Sequence, residues 1–188
     1  MRRYIAAHLP VVLLYTLLLV ALVVIRNVRQ LSWSLMGESL MLFAGVLVGA
    51  LVLFLDRVVY TYSYPQEQLS QQFVHVWRQR KYLSALSLLD SRRSEQEKLT
   101  FRSALFMVIW VPLAFFALTS TTGVFGKGVV MGLMLHILYD AWRLQRMSPE
   151  RLHTRLFWQV AREVTHEEQL VFLWVMTGIF VLFSLWLG

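Results

Sequence analysis

The sequence predicts an all-α integral membrane protein, a five-span helical bundle with its N-terminus cytoplasmic and its C-terminus outside, carrying amphipathic helices on the cytoplasmic side. Three observations predict it. Hydrophobic residues make up 57% of the 188 and charged residues 15%, with a mean hydropathy of +0.57, whereas soluble chains run roughly 45–50% apolar and about 25% charged. Five apolar segments follow one another, Leu9 to Ile25, Leu35 to Leu55, Ala104 to Thr122, Val129 to Trp142 and Gln169 to Leu187, and a span needs roughly 17–25 such residues. The basic residues are also unevenly placed. With five spans and the N-terminus inside, 15 Lys and Arg fall on the inner side against Arg26, Arg29 and Lys127 outside. If the short fourth segment turned back instead, the balance would be 10 to 8, so the positive-inside rule selects five crossings.

Residues 1–56 hold the first two spans. "MRRYIAAHLPVVLLYTLLLVALVVIRNVR" resembles a signal peptide in its charged start and apolar run, but no small-residue cleavage site follows, and it reads as a retained span. Pro10 fits the first turn of that helix, where a missing N–H costs little. In the second span Ser34 and Glu38 suit the outer first turn, where a carboxylate is favoured by the helix N-terminus. Gly45 and Gly49 form a G-x-x-x-G that lets another helix approach closely.

Residues 57–103 make a basic cytoplasmic segment too long for a structureless loop. "SYPQ", Ser63 to Gln66, predicts a helix start, followed by Leu69, Phe73, Val76 and Leu83 near helical spacing. Leu83, Leu86, Leu88 and Leu89 predict a second helix closing at Asp90 and Ser91. "WRQRKYLSALSLLD" resembles the inner part of a helical hairpin of the tetratricopeptide kind; with no second copy in the chain nothing is carried over. "SEQE", Ser94 to Glu97, reads as a capping box leading into the third span.

Residues 104–142 hold the third and fourth spans, joined by "TSTTGVFGKG". That turn is not a phosphate loop, because two residues separate Gly123 from Gly126 where the motif needs four, and Gly128 stands where it needs Ser or Thr. Residues 143–168 predict an amphipathic interfacial helix. Ser148 caps it and Pro149 suits its first position, while Leu152, Leu156, Phe157, Val160 and Val164 form one stripe opposite Arg151, Arg155 and Arg162. Such a helix suits the inner headgroup layer, with the three arginines on anionic phosphates, or packs its stripe on Leu69, Phe73 and Val76. "THEE", Thr165 to Glu168, caps the fifth span, residues 169–188. Trp33, Trp142, Tyr4 and Tyr139 fit interface anchors, and Trp174 reads as packing.

Three function classes remain open. The first is a membrane interaction or accessory subunit whose basic helices bind a partner protein, a second copy or anionic lipid in a bacterial cytoplasmic membrane or its equivalent. The second is a proton or ion pathway. His136 and Asp140 are one helical turn apart and face the same way, Asp140 has Arg143 or Arg57 as pairing candidates, and Glu38 would line the outer approach. The third is a metal-dependent hydrolase, in which Asp56, His136 and Asp140 supply an imidazole and two carboxylates to a divalent metal, with His136 and Asp140 as catalytic candidates. His8, His75, His153 and His166 are scattered, unlike the several-histidine sets of membrane-bound metal hydrolases, which the pattern resembles only faintly. A chain without cysteine has no thiolate nucleophile and no Cys-ligated zinc. Topology accounts for most of the basic residues, which disfavours nucleic acid as a partner.

Overall fold

The structure, a computed structural model, describes residues 2–26, 33–96 and 98–187. Arg29 and the Glu97 of the expected "SEQE" cap lie outside them, as do the side chains of Arg2, Arg3, Tyr4, His8, Arg26, Trp33, Ser34 and Ser94. The described residues form eight α-helices and no strand: α1 Arg2–Arg26, α2 Trp33–Ser63, α3 Gln68–Arg78, α4 Tyr82–Ser91, α5 Ala104–Thr119, α6 Val124–Met147, α7 Pro149–Phe157 and α8 His166–Leu187. Three helices are long and apolar enough to cross a membrane, α2 over Met36–Ser63, α6 and α8. Two shorter apolar stretches accompany them, Pro10–Leu22 of α1 and the whole of α5.

Several boundaries differ from the sequence expectation, each for a local reason. Helix α6 has 24 residues rather than the 14 of its apolar run, about 36 Å at the α-helical rise, because Lys127 and Arg143 end the run without breaking the backbone. Helix α5 stops at 16 residues, about 24 Å, where the chain turns at Ser120. Pro10 lies inside α1, not in its first turn. Glu38 stands in the second turn of α2, which begins at Trp33.

The caps follow the same logic. Ser63 is the last residue of α2 and α3 begins at Gln68, so "SYPQ" forms the link between two helices. Arg93–Glu95 is a short 3-10 turn, and the cap of α5 is Ser103, whose hydroxyl accepts the Phe106 N–H at 3.2 Å. "THEE" caps as expected: the Thr165 N–H donates to Glu168 Oε2 at 2.9 Å and the Glu168 N–H to Thr165 Oγ1 at 3.3 Å. Pro149 occupies the first turn of α7, but α7 ends at Phe157, so Val160, Arg162 and Val164 lie beyond it.

The central pairing is α2 on α6, and glycine makes it possible on both sides. A Cβ on Gly49 would sit 2.6 Å from the Leu133 N and closer still to the Val129 carbonyl; one on Gly128 would sit 2.6 Å from the Leu42 carbonyl; one on Gly132 would sit 2.6 Å from Val46 Cα. Gly45 and Gly49 thus meet a second G-x-x-x-G, Gly128 and Gly132, which the turn and the apolar run disguise in the sequence. Both sets of numbers rise together along the interface, so α2 and α6 run parallel. Helix α5 runs against α6, with Trp110 Nε1 donating to the Val130 carbonyl at 2.9 Å. Helix α8 runs against α6 too: Gln169 Nε2 donates to Gln145 Oε1, and Trp142 Nε1 donates to Thr177 Oγ1 at 2.9 Å. Trp174 is mostly exposed, edge-on to Trp142 at 4.9 Å, rather than packed inside.

The main core lies among α5, α6, α7 and α8, with Trp110, Met131, Met134 and Leu173 fully buried. Leu152, Leu156 and Phe157 of α7 are buried in it; the stripe covers the bundle itself and not the Leu69–Phe73 face. A second core ties α3 and α4 to the end of α2 through Tyr60, Leu69, Phe73, Ala85, Leu89 and Leu99.

Candidate functional site

The parallel pairing of α2 and α6 determines what meets at their C-terminal ends. Continued along the helices, the register that aligns Gly49 with Gly132 brings Leu53 level with His136, and Asp56 level with Tyr139 and Asp140. The equal depth of Asp56 and Asp140 expected from topology is therefore present in the packing. Both residues, however, are engaged by the chain entering α5. Asp56 is fully buried, and its Oδ1 accepts the Phe101 N–H at 3.1 Å. Arg102, 5% exposed, pairs with Asp140 through Nη2 and Oδ2 at 3.3 Å. The sequence suggested Arg143 or Arg57 for that role.

Arg57, 3% exposed, reaches instead to the α3–α4 hairpin and donates from Nη1 to Asp90 Oδ1 at 3.0 Å. Arg93 shares this carboxylate, its Nε donating to Oδ1 at 2.9 Å. Partial burial pushes the Asp90 carboxyl up, yet the group is held at about 2, with hydrogen bonds from Arg93 and Arg57 and the charge of Arg93 among the contacts that pull it down. Arg57 also lies 5.7 Å from the Phe54 ring centre. One ion pair thus fastens the α3–α4 hairpin to α2, and the other fastens the entry of α5 to α6.

Between these pairs is a cavity of about 210 Å³ lined by Arg57, Arg93, Arg102, Arg143 and Arg155, together with Asp140, Gln96, Leu99, Leu144 and Met147. The arginines come from α2, the turn after α4, the stretch of chain before α5, α6 and α7. Only Arg155 belongs to the three arginines assigned to lipid from sequence. Arg151 is exposed on α7, and Arg162 pairs with Glu168 at 2.8 Å on the surface. In the sequence Arg57 and Arg143 read as pairing candidates for Asp140, and Arg93 and Arg102 only as charges of the basic segment 57–103. Their convergence depends on contacts between segments far apart in the chain.

Two candidates remain, His136 and Glu38. His136 is buried on α6 at 2% exposure. Among the described residues no three His, Cys, Asp or Glu side chains come together in a way that could hold a metal ion. Glu38 is exposed on α2, about 15 residues and roughly 22 Å along the helix from the level of His136. No protein-family model, curated protein or solved structure matches the chain.

Proposed function

We propose that the chain is a five-span accessory or interaction protein of a cell membrane, N-terminus cytoplasmic and C-terminus outside, whose basic cytoplasmic face binds the anionic surface of the surrounding lipid. The alternating directions of α2, α5, α6 and α8 support repeated crossing. Exposed Leu, Val, Phe and Trp side chains cover the outside of α2, α5 and α8, which is the surface a bilayer solvates. The observation that carries the reading is the gathering of α3, α4, α7 and the arginine-lined cavity at the end to which α2 and α6 both run. The positive-inside rule puts that end in the cytoplasm, beside the anionic leaflet, where each Lys or Arg near the surface contributes about 1 kcal/mol of attraction.

Extraction of the full-length protein into polymer discs, with analysis of the co-extracted lipid, tests the reading. Anionic lipid should be enriched relative to the bulk membrane. Arg151→Gln with Arg162→Gln, on the exposed face, should reduce that enrichment, as should a rise in salt through shorter screening lengths. Enrichment that ignores both changes would count against a basic face acting on lipid. A proton or ion pathway draws no support from the position of Glu38, and a metal hydrolase draws none from Asp56, His136 and Asp140, which do not form a group that could hold a metal ion among the described residues.

A further inference from the structure

We infer that the cavity enclosed by Arg57, Arg93, Arg102, Arg143 and Arg155 is a binding site for one phosphate group, presented by an anionic lipid headgroup at the cytoplasmic edge of the bundle; this rests on the membrane-interaction reading above and makes it specific. Charge is the first ground. Five guanidinium groups border one space; Arg57 and Arg93 share Asp90, and Arg102 pairs with Asp140. Among the described residues, the charged groups that line the space are these five arginines and Asp140, and Arg57 and Arg102 are largely closed to water. An anion entering there gains charge-assisted hydrogen bonds in a poorly screened setting.

Geometry is the second ground. Arginine presents planar, forked donors suited to phosphate and carboxylate. A carboxylate offers two oxygens in one plane, whereas a phosphate offers oxygens in several directions. Here the arginines arrive from five different segments, and only a group that accepts from several sides uses them together. At about 210 Å³ the cavity is below the roughly 300–1,000 Å³ of pockets for drug-sized ligands, so it suits a compact headgroup. Leu99, Leu144 and Met147 give one wall an apolar character, and Met147 is mostly exposed. That wall fits the glycerol end of a lipid better than a freely diffusing ion.

Native mass spectrometry of the full-length protein in detergent, titrated with phosphatidic acid, phosphatidylglycerol, phosphatidylcholine and inorganic phosphate, tests the assignment. The expected result is retention of one phosphatidic acid or phosphatidylglycerol molecule per chain, no comparable retention of phosphatidylcholine, and about ten-fold weaker binding in Arg143→Gln with Arg155→Gln. Arg143 is exposed and Arg155 half-buried, so the fold does not depend on them as it does on Arg57 and Arg102. Competition on the unaltered protein gives an independent reading: inorganic phosphate should displace the retained lipid. If inorganic phosphate binds at the same site and no lipid is retained, the phosphate site stands and its source is a free phosphate, while the lipid reading fails. If lipid is enriched in polymer discs but the double substitution and phosphate competition leave single-lipid retention unchanged, the membrane reading stands and the cavity assignment is overturned.

Discussion

Substitution of Gly132 by alanine isolates the α2–α6 contact. The added Cβ would fall 2.6 Å from Val46 Cα and 2.9 Å from Val46 C, and nearer still to the Val46 carbonyl oxygen. Ordinary contact begins at 3.4 Å, so the helices must part by roughly 1 Å locally, and a gap of 0.5–1 Å forfeits about a quarter to a half of each atom pair's attraction. If about 30 atom pairs of roughly 0.15 kcal/mol each lie in the affected stretch, the loss is about 1–2 kcal/mol. Alanine returns up to about 1 kcal/mol through helix propensity, which would mask the packing term in a single comparison. Gly178 supplies the control, because it is also helical and nothing lies within 4 Å of its would-be Cβ. The assay is reversible unfolding in mixed micelles of Gly132→Ala against Gly178→Ala, so that propensity cancels. Gly132→Ala should be the less stable by about 1–3 kcal/mol, the usual cost of overpacking. Equal stability of the two variants would refute the close crossing. A second comparison sharpens it: Gly45 and Gly128 face each other, so their alanine substitutions should not be additive.

Three further outcomes follow from particular contacts. Asp90 is held at about 2, below the ordinary value near 3.9, so its stabilising effect is fully present above about pH 4 and is lost as pH falls toward 2. Unfolding midpoints of the unaltered chain and Asp90→Asn should differ at pH 6 by no more than about 2 kcal/mol after allowance for solvent screening, and should converge toward pH 2; a gap that persists there would exclude this titration as its cause. Asp56→Asn keeps an acceptor for the Phe101 N–H, while Asp56→Ala leaves that donor without one, so the alanine variant should be less stable by about 1–3 kcal/mol, as read by the same unfolding assay; equality would mean the hydrogen bond at 3.1 Å is not structurally important. The cysteine-free chain also allows a clean topology test with single cysteines. Lys81→Cys and His166→Cys should react with an impermeant maleimide from one side of the membrane and Gly123→Cys from the other; labelling of all three from one side would refute the crossings of α5 and α6.

The sequence made legible those features that depend on local periodicity or one helical turn. The apolar centres of the long helices, the Thr165–Glu168 cap and the pair of glycines in α2 all belong to that class. Helix ends were harder to read. A hydropathy run stops at its first charge, whereas a helix stops where hydrogen bonding or backbone geometry fails, so α2 continues past Asp56 and Arg57 through Ser63, and α6 begins before Lys127. Long-range partners were hidden for another reason. Gly128 and Gly132 look like turn and span residues until Gly45 and Gly49 are placed against them. Arg102 lies 38 positions before Asp140 in the segment read as a basic helical one, and nothing in its neighbours marks it as the charge that enters the bundle. The equal depth of Asp56 and Asp140 could be inferred from topology, but the arginines between which they sit could not.

The Arg102–Asp140 pair separates structural from ligand-binding roles at the cavity. Removing Arg102 alone, as Arg102→Met, leaves Asp140 facing the site without this guanidinium, and breaking a buried pair costs about 3–5 kcal/mol. The lower end of that range applies, since the Asp140 side chain keeps 19% of its exposure. Replacing both, as Arg102→Met with Asp140→Leu, removes the uncompensated charge along with the pair, and such apolar replacements are often neutral or stabilising. The double variant should therefore recover most of the stability lost by the single one in the unfolding assay. It should not recover phosphate or lipid retention, because one of the five guanidinium groups is gone and Asp140→Leu supplies packing but no donor. Recovery of stability together with full lipid retention would assign Arg102 a structural role and confine the phosphate site to Arg57, Arg93, Arg143 and Arg155. Failure to recover stability would mean that the pair is not the main contact each residue makes, and that Arg102 holds the α5 entry through other partners.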